Sequence, residues 1–164
     1  MFAKRTPLAR INTFVSLKGQ EQCWCLLIYI FSAVIRLAIL LCPFSKLRFG
    51  LGHFQYNAQL SSLVDDQQSR LACRIGFFVE RICDMTPWES KCLVQAFVAR
   101  LMLSYYKIPY VVFLGARMKA AANQPLLAHA WVTVGSDIIV GGTGIEGYAI
   151  VGVFVCPSIA MPAS

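Results

Sequence analysis

The sequence predicts an α+β protein, with helices first and then a small antiparallel sheet that they cover on one face. Apolar residues recur at helical spacing through Leu71, Ile75, Phe78 and Ile82, and again through Leu93, Phe97 and Leu101. From Tyr110 onward the apolar segments shorten, become rich in β-branched and aromatic residues, and are separated by Gly-containing turns. At 164 residues the chain has the size of one domain.

The elements follow in order. Residues 1–20 form a basic lead-in with Lys4, Arg5, Arg10 and Lys18. Residues 21–85 form an N-terminal helical part. Its oiliest run, Cys23 to Cys42, is closed by Pro43 and has the length of a membrane span, which needs about 20 apolar residues. Arg36 opposes that reading, because a charge near the middle of a span costs about 2.5–3.5 kcal/mol. A buried helix, a helix lying on a membrane surface and a true span all remain open. An amphipathic helix is expected from about residue 67 to Cys83, ended by Asp84-Met85-Thr86-Pro87.

Residues 86–156 form the core, in one domain with the helices before it. Thr86-Pro87-Trp88-Glu89 has the form of a capping box, and Ser90 is a second possible N-cap. The helix that follows ends at Tyr105 or Tyr106, before Lys107-Ile108-Pro109. Strands are expected at Tyr110–Leu114, Ala128–Val134, Ile138–Val140 and Tyr148–Val155, as a meander with Gly135-Ser136 as a tight turn. Residues 157–164 form a tail.

Bulk composition narrows the function classes. The chain is 57% hydrophobic and 14% charged, against roughly 45–50% and 25% for a typical soluble domain. Such a chain has either a large core or apolar surface meant for a partner. The net charge of +7 favours anionic partners. The basic residues are scattered singly, so nucleic acid is the weakest candidate. No secretory signal is evident, and seven cysteines, an odd number, fit a reducing cytosolic setting. With no Cys-x-x-Cys pair and two histidines, a zinc set is not expected. Six of the seven thiols read as small buried apolar groups.

The seventh is Cys92. It opens a helix if Ser90 is the cap, and lies a turn further in if Thr86 is. In the first case unpaired N–H groups and the helix dipole favour its thiolate and offer a place for an oxyanion. His129 follows 129 − 92 = 37 residues later on a predicted strand, where an imidazole can serve as general base. A helix-borne Cys followed by a strand-borne His is the order of a papain-like or transglutaminase-like thiol site.

Four blocks extend that likeness: Cys92-Leu93-Val94-Gln95-Ala96, Tyr106-Lys107-Ile108-Pro109, Phe113-Leu114-Gly115-Ala116-Arg117 and Ala128-His129-Ala130-Trp131-Val132. In this order and spacing they resemble the leader peptidases of lasso peptide biosynthesis, the microcin-processing B proteins. Their catalytic part is a transglutaminase-like cysteine protease domain. The resemblance implies Cys92 as nucleophile and His129 as base. It also implies removal of a leader from a ribosomally made precursor peptide, a partner cyclase that closes a macrolactam with ATP, and no cofactor. Residues 1–85 read as helices rather than a winged-helix module, so the implied leader-recognition protein would be a separate chain.

The resemblance also implies a third residue, usually Asp, that orients the imidazole. Asp137 is the nearest carboxylate after His129, but the Gly135-Ser136 turn pairs it with Val134. That sets it over about 15 Å along the hairpin from His129. His129 would pair with Gly142, so Thr143, Glu146 or a backbone carbonyl are substitutes. Trp88, Trp131 and Arg117 are candidate substrate-binding residues, with Arg117 suited to an acidic leader. Two rival functions are a transglutaminase-like acyltransferase on the same Cys-His pair and a non-catalytic membrane-associated scaffold.

Overall fold

The computed structural model describes residues 17–55, 64–118 and 126–156. The lead-in up to residue 16, the tail from residue 157 and the loop from residue 119 to 125 lie outside the described residues. Helices α1 (Gly19–Leu41) and α2 (Phe44–Leu47) lead through a 3-10 turn to β1 (His53–Gln55). Helices α3 (Asp66–Cys83) and α4 (Cys92–Tyr105) follow, then strands β2 (Val111–Arg117), β3 (Leu127–Val134), β4 (Asp137–Val140) and β5 (Ala149–Val155).

The fold is the expected α+β type, with one antiparallel sheet of five strands in the order β1-β5-β2-β3-β4. Two features differ from a simple meander. The polar segment His53–Gln55 supplies a short edge strand. β5 does not continue beyond β4; it returns across the sheet to pair with β2. β4 carries α3 against it, whereas the outer edge of β2 is an apolar strand in need of a hydrogen-bonding partner. Residues 141–148 therefore run across the end of the sheet where β2 finishes and β3 begins.

α3 starts as its sequence asks. Asp65 accepts from the Gln68 N–H at 2.7 Å, and the Gln68 side chain accepts from the Asp65 N–H in return. Ala72, Ile75, Val79 and Cys83 on its inner face are buried. Helices α3 and α4 cover one face of the sheet and α1 lies across both. The core between them is built on Trp24, Ile28, Ile75, Val98, Leu103, Val112, Val132 and Phe154. The other face of the sheet carries a second cluster of Val111, Phe113, Trp131, Val153 and Val155.

α4 ends in a tight reversal. The Ile108 N–H bonds to the Leu103 carbonyl and the Lys107 N–H to Ser104, with Lys107 in the left-handed region at φ 54°. Tyr110, at the start of β2, reaches back so that its hydroxyl accepts from Arg100 Nε at 3.1 Å. α4 and β2 thus run in opposite directions. A helix of this length spans about 21 Å and the strand about 23 Å. The start of α4 is carried toward the end of the sheet that holds His129.

α1 is buried on one side only. Trp24, Cys25, Ile28 and Ser32 face the protein, while Leu26, Ile30, Val34, Leu37, Leu40 and Leu41 are each more than half exposed. Arg36 sits at the flank and is tied to Glu89 at 2.8 Å, so its charge is matched rather than set in the apolar face.

Candidate active site

Cys92 is the first residue of α4. Neither of the expected caps is used. Lys91 occupies the N-cap position and places no side-chain acceptor on the first turn. The Thr86 hydroxyl is engaged with Cys83 O, Trp88 O and Ser90 Oγ. Glu89 is drawn off by Arg36 and Lys91 instead of closing a capping box. Hydrogen bonds from Lys91 and the charges of Lys91 and Arg36 hold the Glu89 carboxyl below its usual range. Among the described residues no side chain caps the first turn of α4, where N–H groups and the positive end of the helix dipole favour an anion. Cys92 itself is half-buried against the helix-side core.

The expectation that six of the seven cysteines are buried does not hold. Cys25, Cys83 and Cys156 are buried; Cys23, Cys42 and Cys73 are exposed. Cys23 lies on the half-uncovered α1 and Cys42 caps its end, which is why their apolar character did not bury them. Burial pushes the Cys83 thiol up to about 12 and raises Cys25 as well.

His129 lies in β3 opposite Gly115 of β2. Its ring stacks toward Trp131, with centroids 6.0 Å apart, and meets Tyr148 at 5.3 Å. Trp131 in turn stacks on Phe113 at 5.5 Å. Gly115 makes this possible: a Cβ there would lie 2.8 Å from the Trp131 ring and 2.9 Å from Tyr148 Cβ. Strand alternation puts His129 and Trp131 on the face turned away from the helices, whereas Ala130 and Val132 join the helix-side core. Cys92 and His129 thus approach the same end of the sheet from different sides. Among the described residues no hydrogen bond joins them.

The imidazole is held by the backbone. His129 Nε2 lies 2.7 Å from the Gly141 carbonyl oxygen. A carbonyl can only accept, so Nε2 carries the proton and Nδ1 is left as the basic nitrogen. The β3–β4 register shifts between Val132 and Thr133. That shift moves the chain by one residue from the simple hairpin count, so Gly142 is not the partner of His129. Gly141, at φ 75°, has no room for a side chain: a Cβ would lie 2.4 Å from Ala130 O.

Asp137 is not the group that holds the imidazole. It pairs with Val134 at the turn and accepts from Ser69 Oγ at 2.6 Å. Trp88 is occupied with α1: its Nε1 donates to Ser32 Oγ and its ring rests 4.9 Å from Tyr29. Arg117 stands at the His129 end, its guanidinium 4.8 Å from the Tyr148 ring centroid and Nη1 donating to Glu146 O. Gly141, Tyr148 and Gly115 were not singled out by sequence reasoning. Only the doubled glycine at 141 and 142 hinted that the backbone comes close there. An apolar groove of about 500 Å³ between α1 and α4, lined by Trp24, Phe31, Met102 and Tyr106 among others, lies at the far end of α4 from Cys92.

A helix-borne thiol before a strand-borne imidazole, on an α+β scaffold, defines the class of papain-like and transglutaminase-like thiol folds. The family model of the transglutaminase-like superfamily matches residues 38–152, and the chain belongs to this family. The superfamily generally comprises cysteine peptidases and acyltransferases. No curated protein and no solved structure matches the chain.

Proposed function

We propose that this protein is a cysteine peptidase that removes the leader from a ribosomally made lasso precursor peptide. It would act with a separate leader-recognition protein and an ATP-using macrolactam cyclase. The observation that carries the reading is Cys92 at the first position of a helix whose opening turn has no side-chain cap. The order and spacing of the Cys92 and His129 blocks support the same choice within the superfamily.

In this mechanism the imidazole has to meet the thiol around the end of the sheet; the proton of Cys92 then passes to His129 Nδ1, and the thiolate attacks the scissile carbonyl. The tetrahedral oxyanion is met by N–H groups at the start of α4. The C–N bond breaks as the imidazolium returns its proton to the leaving amine, giving a thioester. Water, deprotonated by the same nitrogen, hydrolyses the thioester to a free carboxylate. Arg117, exposed at this end of the sheet, suits an acidic stretch of leader.

The test is leader release from precursor peptide in the presence of the recognition protein, followed by mass spectrometry. Cys92→Ala and His129→Ala abolish release, a loss of at least about 10³-fold, while Asp137→Asn retains it. Release that survives Cys92→Ala would refute the reading. A product that carries an added amine in place of the free carboxylate would assign the acyltransferase function instead.

The exposed face of α1 supports work at a membrane surface. Among the described residues this helix is long and apolar enough to cross a membrane. Its contacts with α3 and α4 favour lying on the surface with the protein above it.

A further inference from the structure

We propose that Glu80 is a positioning residue for His129, acting through Gly141. Glu80 Oε1 accepts the Gly141 N–H at 3.1 Å, and the Gly141 carbonyl accepts from His129 Nε2 at 2.7 Å. One glycine is thus gripped on its N–H side by a helix and on its carbonyl side by the imidazole.

The grip follows from how α3 lies along β4. Three contacts run in register: Ser69 on Asp137, Gly76 on Ile139 and Glu80 on Gly141. Ser69, Gly76 and Glu80 fall on one stripe of the helix, seven and four residues apart. Asp137, Ile139 and Gly141 are alternate residues of the strand and its continuation. From Gly76 to Glu80 and from Ile139 to Gly141 the helix and the strand advance by nearly the same distance, about 6–7 Å, while the longer step back to Ser69 is bridged by the Asp137 side chain. Gly76 sets the closeness, because a Cβ there would lie 2.2 Å from the Ile139 carbonyl oxygen. With the helix this near, the Glu80 carboxylate reaches the first residue past β4.

That residue needs holding. Gly141-Gly142-Thr143-Gly144 has little side-chain packing of its own, and Gly141 sits at a positive φ. A charge-assisted hydrogen bond from a helix fixes the backbone at the point where its carbonyl must meet His129. Glu80 would do for a carbonyl what an outer hydrogen-bond partner does for a catalytic carboxylate: hold it still, so that the imidazole keeps one tautomer.

The proposal rests on His129 as the base of the proposed peptidase, but its test does not. In the full chain with 15N-labelled histidine, two-bond 1H–15N spectra report which ring nitrogen of His129 carries the proton. Wild type shows the Nε2–H form. Glu80→Ala gives a mixture of tautomers, and Glu80→Gln, which keeps an acceptor oxygen, restores the wild-type pattern. Gly141→Ala, which forces the carbonyl away, gives a mixture by an independent route. A His129 ring that stays fully in the Nε2–H form in Glu80→Ala overturns the inference. Alkylation of Cys92 at neutral pH, measured on the same samples, separates the two claims. A tautomer shift with an inert wild-type Cys92 sinks the peptidase reading and leaves the role of Glu80 intact. A reactive Cys92 with an unmoved tautomer does the reverse.

Discussion

Gly115 shows how much of the site depends on a missing side chain. It sits under the ring stack of Phe113, Trp131 and His129, with Tyr148 beside it. Gly115→Ala puts a methyl group within 3 Å of two aromatic side chains that cannot both retreat. The expected cost is about 1–3 kcal/mol of stability. The expected sign of a shifted site is a change in the Trp131 and His129 side-chain resonances larger than anywhere on the helix-side core. Equal stability and unchanged resonances would show that the stack is looser than the distances imply. The sequence marks His129 and Trp131 as partners on one face because they lie two apart on a strand. It does not mark Gly115 or Tyr148, because these meet His129 only through the strand pairing and the crossing of residues 141–148.

At the scale of elements, the two amphipathic helices and most of the strands were legible in the sequence because burial leaves a periodic trace. The start of α4 was not. Thr86-Pro87-Trp88-Glu89 satisfies the pattern of a capping box, yet Arg36 from α1 takes the Glu89 carboxylate and Ser90 meets the Thr86 hydroxyl. A long-range ion pair outweighed a local motif. The return of β5 to β2 was hidden for a related reason: turn residues report that the chain reverses, not which edge it then joins. α1 posed a question of length against charge; it is long and apolar enough to cross a membrane, and Arg36 pairs with Glu89 at its flank. With an apolar outer face and basic residues at either end (Lys18 at one, Lys46 and Arg48 at the other), α1 predicts binding to anionic vesicles. Co-sedimentation of the full chain with such vesicles, but not with zwitterionic ones, is the expected result, and Ile30→Glu with Leu37→Glu removes it. Recovery in the supernatant in every case contradicts a lipid-facing role. Resistance of the bound protein to alkaline carbonate would assign a span.

For the whole molecule, the sheet is a frame that brings distant segments to one end. The start of β3 supplies His129, and the chain between β4 and β5 supplies the Gly141 carbonyl and Tyr148 that meet it, while Cys92 opens α4 on the helix side of the sheet. The residue types of a thiol site and their order along the chain were readable from sequence. The group that meets the His129 ring was not, since a backbone carbonyl leaves no residue type to recognise and the β3–β4 register shifts from the simple hairpin count. The transglutaminase-like assignment rests on the family model that matches residues 38–152, together with the α+β arrangement of helices and sheet.

The most direct measurement is the rate of Cys92 alkylation against pH, read by peptide mass spectrometry in wild type and in His129→Ala. The other thiols supply the scale within the same sample. Exposed Cys73 serves as an accessible reference, and Cys83, raised to about 12 by burial, stays inert through the neutral range. A Cys92 that reacts well below pH 8, where a free thiol with a pKa of about 8.5 is mostly protonated, and that loses this reactivity without His129 is the predicted outcome. A Cys92 profile that follows Cys73, or is indifferent to His129, would contradict a thiolate–imidazole site.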